Sequence, residues 1–157
     1  MAYALQPLLR IRTMREDRAS GELTAARREL AAAEERLCAR KRDLKSWEET
    51  KDVRRDRIYD TIIGRIASRD QIDLANEGVA RIDEEGAIKA DNVVRAEDER
   101  RKKELAAEAA RAQLNLAIKN RMKIDEHRAV WMKEEAKAAE SAAEIELEDF
   151  TARKEEI

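Results

Sequence analysis

The side chains that most often perform chemistry are few in this sequence and lie far apart. His127 is the only histidine and Cys38 the only cysteine among 157 residues. A zinc site or a cysteine–histidine pair needs several such groups that converge. The four glycines are scattered and form neither G-x-x-x-x-G-K-[ST] nor G-x-G-x-x-G, the loops that hold phosphates. We therefore expect no cofactor, no metal site and no enzymatic activity.

The charged side chains are numerous but nearly balanced. The 33 Lys and Arg residues and 35 Asp and Glu residues give a formal net charge of -2. On helices rich in Lys and Arg, carboxylates usually form solvated ion pairs rather than acid–base pairs, and His127 is expected to be solvated as well. In one stretch each acid precedes a base by four residues, an order worth roughly 0.2 to 0.5 kcal/mol per pair. These predicted pairs are Glu97–Arg101, Asp98–Lys102 and Glu99–Lys103.

The distribution of charge argues against nucleic acid as a partner. Residues 36–57 hold nine basic and five acidic groups, a sum of +4, with the acids interleaved. A basic region that binds nucleic acid would be more strongly positive. Residues 134–157 hold three basic and nine acidic groups, a sum of -6. This acidic end fits either docking on a basic protein surface or solubility alone.

The elements that carry these side chains are predicted to be helices. Pro7 is the only proline, so 150 residues follow it without this helix breaker. Strands need turn residues at short intervals, whereas a composition rich in Ala, Glu, Lys, Leu and Arg is typical of coiled coils. No run of about 18 apolar residues predicts a membrane span. A single cysteine fits a reducing compartment such as the cytosol.

Two heptad series define the predicted seam of the first helix. The stronger series has Leu or Ile at six of eight positions: Leu9, Glu16, Leu23, Leu30, Leu37, Leu44, Lys51 and Ile58. Its companion, three residues further on, comprises Arg12, Ala19, Ala26, Ala33, Arg40, Trp47, Arg54 and Thr61. The alanines would let a partner helix approach closely, and the arginine stems can lie along the edge of the seam. Trp47 is predicted to be buried there.

One series dominates the second helix. It is apolar at nine of eleven positions: Ile82, Lys89, Ala96, Lys103, Ala110, Ala117, Ile124, Trp131, Ala138, Ile145 and Ala152. The companion series from Val79 includes Arg100, Arg121 and Arg128, so a single strong stripe is predicted for this helix. Trp131 is expected either to pack locally against its own chain or to contact a partner protein.

Two apolar stripes joined by a short turn predict an all-α fold, a long two-helix antiparallel coiled-coil hairpin. Gly64 interrupts a cluster of isoleucines, and Ser68 with Gln71 matches a capping box. We expect one rod-like domain over residues 1–157, with helix one at about 8–66, the turn at about 67–69 and helix two at about 70–155. The longer second helix should continue past its partner near His127 as an overhanging C-terminal helix of about 28 residues, roughly 42 Å. A second copy could pair with this overhang, so a weak homodimer stays open.

Two segments resemble the YscO family of bacterial type III secretion proteins. They are YALQPLLRIRTMREDRA, residues 3–19, and HRAVWMKEE, residues 127–135, which an Ala- and Glu-rich tail follows. The resemblance implies a stalk similar to flagellar FliJ, which in turn resembles the coiled coil of the gamma subunit in rotary ATP synthases. Such a stalk would be cytoplasmic, at the base of the secretion apparatus. It would enter the pore of the hexameric secretion ATPase, link it to the export-gate protein and handle secretion chaperones.

The resemblance also implies two contact surfaces. The paired termini would meet the ATPase pore through Leu8, Leu9, Ile11, Arg12, Arg15, Arg18, His127, Trp131 and Met132. The turn would meet the export gate through Ile58, Tyr59, Ile62, Ile63 and Ile66, although these residues could instead simply close the hairpin. The alternative function is a generic coiled-coil chaperone or scaffold that grips its clients along the seam.

Overall fold

The computed structural model describes the backbone of residues 3–155 and the side chains of residues 3–148. It contains two helices, α1 (Gln6–Tyr59, 54 residues) and α2 (Arg69–Glu155, 87 residues), and no strand within the described backbone. The helices pair as an antiparallel hairpin, which confirms the predicted all-α, two-helix fold. The overhanging C-terminal helix stays a prediction. Contacts group the chain into two compact units, Met1–Leu23 with Ala109–Ile157, and Thr24–Glu108. The Ala152 position of the predicted stripe lies outside the described side chains.

The first helix ends seven residues earlier than predicted, at Tyr59 rather than residue 66. The backbone continues through hydrogen-bonded turns, in which the Ile63 amide donates to the Tyr59 carbonyl oxygen at 2.9 Å. Gly64 then adopts a φ of 74°, a left-handed conformation that glycine tolerates and that commonly ends a helix. The apolar spacing of the isoleucines suggested a longer helix because spacing alone carries no information about this backbone reversal.

The start of α2 follows the predicted capping box. The Gln71 amide donates to Ser68 Oγ at 3.3 Å, and the Ser68 amide donates to Gln71 Oε1 at 2.9 Å. These two bonds satisfy amides that would otherwise lack partners in the first turn. The helix therefore begins at Arg69, one residue before the predicted boundary.

Burial follows both predicted series of α1. In the unit that contains the chain ends, Leu9, Ala19 and Leu23 are buried, and in the other unit Ala33 and Leu37 are buried. Leucine and alanine alternate along the seam, so that small side chains make room for large ones on the facing helix. The heptad assignment of the first helix is confirmed at these positions.

The second helix uses two series where the sequence predicted one stripe, and that prediction is wrong. Gly86 and Ala107, which belong to the companion series, are buried beside the main-series residues Ile82 and Ala96. Arg121, another companion residue, is half-buried and pairs across the helices with Glu16. From the sequence, a charged arginine is not expected in an apolar seam. The aliphatic stem of an arginine can nevertheless pack there while its guanidinium reaches a carboxylate.

Trp47 and Gly86 form a close contact between the helices. A Cβ atom at position 86 would overlap the indole ring of Trp47. The indole Nε1 donates to the carbonyl oxygen of Ile82 at 3.1 Å, and Lys51 Nζ lies 5.2 Å from the ring centroid. Trp47 thus packs in the seam, half-buried rather than fully buried as predicted. Glycine at position 86 makes room for it.

The local ion pairs predicted on α2 are largely replaced by pairs between the helices. Glu97 pairs with Lys41 at 2.9 Å, Glu99 with Arg36 at 2.7 Å, and Lys103 with Glu29 at 2.5 Å. The hydrogen bond from Lys41 holds the pKa of Glu97 below its ordinary value, and Lys103 does the same for the pKa of Glu29. The spacing of acidic and basic residues on α2 can be seen in the sequence. Which α1 side chains lie opposite them depends on the register of the hairpin.

Candidate protein-binding surfaces

No group of three or more His, Cys, Asp or Glu side chains among the described residues could hold a metal ion. No helix in the described part of the chain is long and apolar enough to cross a bilayer. Large apolar side chains do face solvent at many places along both helices. Exposed apolar side chains of this kind are typical of surfaces that bind other proteins.

One such surface, here called the terminal surface, is built around Tyr3. This buried side chain precedes α1, and its ring centroid lies 5.8 Å from that of His127 and 5.3 Å from that of Trp131. Tyr3 Oη is 2.9 Å from His127 Nδ1 and 3.4 Å from the Ile124 carbonyl oxygen. The tilted rings and these polar contacts tie the start of the chain to the α2 segment around Ile124–Trp131.

Tyr3 was absent from the predicted contact residues, although it lies in a segment that carried the family resemblance. It stands outside both heptad series, so helical periodicity could not select it. A signal was available in composition, because Tyr3 is one of only two tyrosines and a large aromatic residue rarely stays exposed. His127 was expected to be solvated. It is exposed, yet its ring also bonds to Tyr3.

The predicted ATPase-contact residues fall into two groups in the unit that contains the chain ends. Leu9 is buried, and Leu8, Arg12 and Trp131 are half-buried, so these four chiefly support the helix pair. The exposed group comprises Ile11, Arg15, Arg18, His127 and Met132. The exposed group offers most of the surface that a partner could contact.

Charged groups near this surface are held in place by pairing. Arg121 binds both Glu16 and Asp125, and these carboxylates raise the pKa of its guanidinium above the ordinary value, with Glu16 the larger contributor. Arg18 pairs with Glu22 at 3.0 Å. Arg15 lies with Arg12 beside a shallow groove that Leu116 and Asn120 also line. Arg15 is exposed and adds positive charge to this part of the molecule.

The second surface is an apolar groove at the turn, in the unit Thr24–Glu108. It has a volume of about 490 Å³, and we call it the turn groove. Its lining combines apolar side chains with two arginines: Arg57, Ile58, Thr61, Ile62, Gln71, Leu74, Ala75, Gly78 and Arg81. Ile58 Cδ1 lies 3.1 Å from the place where a Cβ at Gly78 would be. The helices thus approach closely at Gly78 while the space beside it stays open.

The structure divides the predicted gate residues between groove and surface. Ile58 and Ile62 line the turn groove and are half-buried, and Tyr59 is half-buried as well. Ile63 is 68% exposed and Ile66 is fully exposed. Sequence reasoning missed the α2 side of this surface, which adds the exposed Ile72 and Leu74. These residues lie outside the strongest heptad series, so their proximity to the turn was the only available signal.

Comparison with known proteins adds two findings. The model of the family described as type III secretion protein YscO matches residues 5–153. Among solved structures, the chain is similar to a protein from Chlamydia trachomatis described as a YscO homologue, with a TM-score of 0.75 and 21% sequence identity. That match covers 96% of this chain and 92% of the chlamydial chain, and at this identity it establishes the fold alone. No curated protein matches the sequence.

Proposed function

The chain belongs to the YscO family of type III secretion proteins, and from that membership we propose that it is a non-enzymatic stalk of the secretion apparatus. In this role it links the hexameric secretion ATPase to the export-gate protein, on the cytoplasmic side at the base of the apparatus. One observation carries the proposal: an antiparallel pair of long helices exposes apolar side chains both near its termini and at its turn. Such an element can bind two partners at separate places.

The terminal surface is the proposed contact for the ATPase pore. Ile11, Arg15, Arg18 and Met132 are exposed in the same compact unit as the cluster around Tyr3, and the proposed contact extends over them. They offer apolar area together with positive charge. Leu8, Leu9, Arg12 and Trp131 support this surface from within the helix pair. Basic groups at the rim of a contact mainly speed association with an acidic partner and weaken with salt.

Charge reversal at the terminal surface tests the ATPase contact. Arg15→Glu with Arg18→Glu should reduce both co-purification with the ATPase and stimulation of its ATP hydrolysis, and the reduction should be larger at low salt. Arg95→Glu together with Arg101→Glu changes the charge equally at exposed positions on α2 and serves as the control. Unchanged ATPase binding and stimulation in the Arg15 and Arg18 variant would refute the assignment.

The turn is the proposed contact for the export gate, through Ile58, Tyr59, Ile62, Ile63 and Ile66. Ile63 and Ile66 provide most of the exposed apolar area among them. Ile63→Ala with Ile66→Ala should reduce secretion and gate binding while leaving helical content unchanged, because neither side chain is buried. Normal secretion by this variant would mean that the isoleucines serve only the local turn.

A generic coiled-coil chaperone or scaffold is the second candidate. Exposed Val94 and Leu105 along α2 favour it, since they offer apolar area to clients outside the terminal surface and the turn groove. Type III secretion chaperones are the natural clients to test under the stalk proposal as well. Suppression of client aggregation without any effect on the ATPase would favour the scaffold over the stalk. Co-purification with the ATPase, with and without residues 131–157, separates the two functions most directly.

A further inference from the structure

We propose that the turn groove binds an apolar side chain, leucine or isoleucine, that an acidic helical segment of a partner protein presents. The occupant is defined by two properties of the groove, its apolar floor and its two arginines. This inference deepens the proposed gate contact by naming the chemistry of the partner, and to that extent it rests on the proposed function.

The floor of the groove selects an apolar group. Ile58, Ile62, Leu74 and Ala75 line it, and Leu74 is 67% exposed. A volume of about 490 Å³ lies in the range of cavities that hold small organic groups, about 300 to 1,000 Å³. One or two branched side chains would cover apolar surface here that water now contacts.

The rim selects negative charge in the segment that brings this side chain. Arg57 and Arg81 are the charged residues that line the groove, and both are exposed. Arg57 makes no ion pair with a described residue, and Arg81 has only a distant partner in Glu77 at 3.9 Å. Their donors are thus available to carboxylates, which arginine can bind through two parallel hydrogen bonds.

The position of Gly78 explains why the turn groove can accept a side chain from another protein. Ile58 already occupies the space against Gly78, so the hairpin closes at that level without filling the groove. The exposed Ile63 and Ile72 can extend the apolar contact beyond the rim. This arrangement resembles a hole that accepts a side chain from a third helix.

A pair of peptides tests the proposal on the full-length protein. The first is a short alanine-based helical peptide with one leucine flanked by glutamates, and in the second glutamines replace the glutamates. Fluorescence anisotropy should detect binding of the acidic peptide. The variant Arg57→Gln with Arg81→Gln should weaken it at least about fivefold, the size expected when charge-assisted contacts are lost. Binding of the glutamine peptide should change less than about twofold in this variant, because it has no charge to lose.

Matched variants separate the groove from other surfaces. Leu74→Ala should weaken both peptides, whereas Leu105→Ala removes an equally exposed leucine far from the groove along α2 and should weaken neither. Arg95→Gln with Arg101→Gln controls for the loss of two exposed arginines. No binding of the acidic peptide, or equal effects of the groove and control variants, would overturn the proposal. Circular dichroism of each variant verifies that the helices remain.

The same variants distinguish this inference from the gate assignment. If the groove variants lose the acidic peptide but still co-purify normally with the export-gate protein, the groove stands and the gate contact is refuted. If they retain the acidic peptide but lose the gate protein, the groove proposal fails and the gate contact stands.

Discussion

At the scale of single side chains, one close contact in the seam depends on the absence of a methyl group. Gly86 leaves room for the Trp47 ring, which also hydrogen-bonds to Ile82. Gly86→Ala should gain about 1 kcal/mol of helix propensity but force the indole out of its place, at a cost of about 1–3 kcal/mol plus a weakened hydrogen bond. We expect urea denaturation to give a lower free energy of unfolding than for the unaltered protein.

The matched substitution is Gly21→Ala. A Cβ at position 21 would meet nothing within 4 Å, so only the backbone effect remains. We expect the free energy of unfolding to rise by about 0.5–1 kcal/mol. If Gly86→Ala stabilised the protein as much as Gly21→Ala, the close Trp47 packing would be wrong.

Tyr3 offers a second test, at the terminal surface. Tyr3→Ala removes the ring that lies 5.3 Å from Trp131, so the emission of Trp131 should shift to longer wavelength as water reaches it. Trp47→Phe in the same chain leaves Trp131 as the only tryptophan, whose emission can be excited selectively over that of tyrosine. Tyr3→Phe keeps the ring and should leave the emission nearly unchanged, while loss of the hydroxyl bond to His127 costs about 0.5–1.5 kcal/mol. Identical spectra for Tyr3→Ala and Tyr3→Phe would contradict this packing.

At the scale of the helices, pairs of opposite charge join α1 to α2 and make stability depend on pH. Hydrogen bonds from Lys103, Arg54 and Lys41 hold the pKa values of Glu29, Glu85 and Glu97 below the ordinary value of 4.5. Because these pKa values are lower in the folded state, the stabilisation is fully present above the unfolded-state values. It is lost as pH falls through the folded-state values, below about pH 4.5. Each pair is exposed, so the effect of a single pair is small.

The pH dependence can be measured as the difference between the melting temperatures at neutral and at acidic pH. The unaltered protein should melt at a lower temperature at acidic pH than at neutral pH. Glu29→Gln, Glu85→Gln and Glu97→Gln combined should reduce that difference, since amides do not titrate there. Glu34→Gln, Glu48→Gln and Glu108→Gln, all at exposed positions, form the control and should leave the difference nearly unchanged. An equal reduction in both triple variants would show that the cross-helix pairs are not responsible.

The capping box gives a prediction for the start of α2. Ser68→Ala removes the oxygen that accepts from the Gln71 amide, and the free energy of unfolding should fall by about 1 kcal/mol. Ser46→Ala, at an exposed position within α1, should be neutral or slightly stabilising because alanine is the better helix former. Equal stability of the two variants in urea denaturation would argue against the cap.

For the complete chain, the central quantity is the register in which α1 faces α2. Arg36 and Glu99 are in contact at 2.7 Å, so Arg36→Cys with Glu99→Cys should be joined efficiently by a short bismaleimide within one molecule. Arg36→Cys with Glu84→Cys shifts the second site 15 residues along α2, about 22 Å, and should not be joined. Both variants carry Cys38→Ser to remove the native thiol. Preferential joining of the second pair at high dilution would refute the register.

Much of the fold could be predicted because its determinants are local or periodic. Leu9, Leu23 and Leu37 recur every fourteen residues in the sequence, and this period places them on one side of a helix wherever its partner lies. Ser68 and Gln71 form a cap through bonds three residues apart. The family resemblance rested on short segments near the two chain ends, and the match over residues 5–153 confirmed it.

The remaining features depend on which residues of α1 meet which residues of α2. Glu97 could have paired with Arg101 on its own helix, yet it pairs with Lys41, because the turn geometry brings that lysine opposite it. The register likewise places Gly86 and Arg121 in the seam and brings Tyr3 into contact with His127. Periodicity assigns each helix its apolar side. The register and the contacts between the helices follow from the turn and from the packing of one helix on the other, which cannot be derived from any single segment of the sequence.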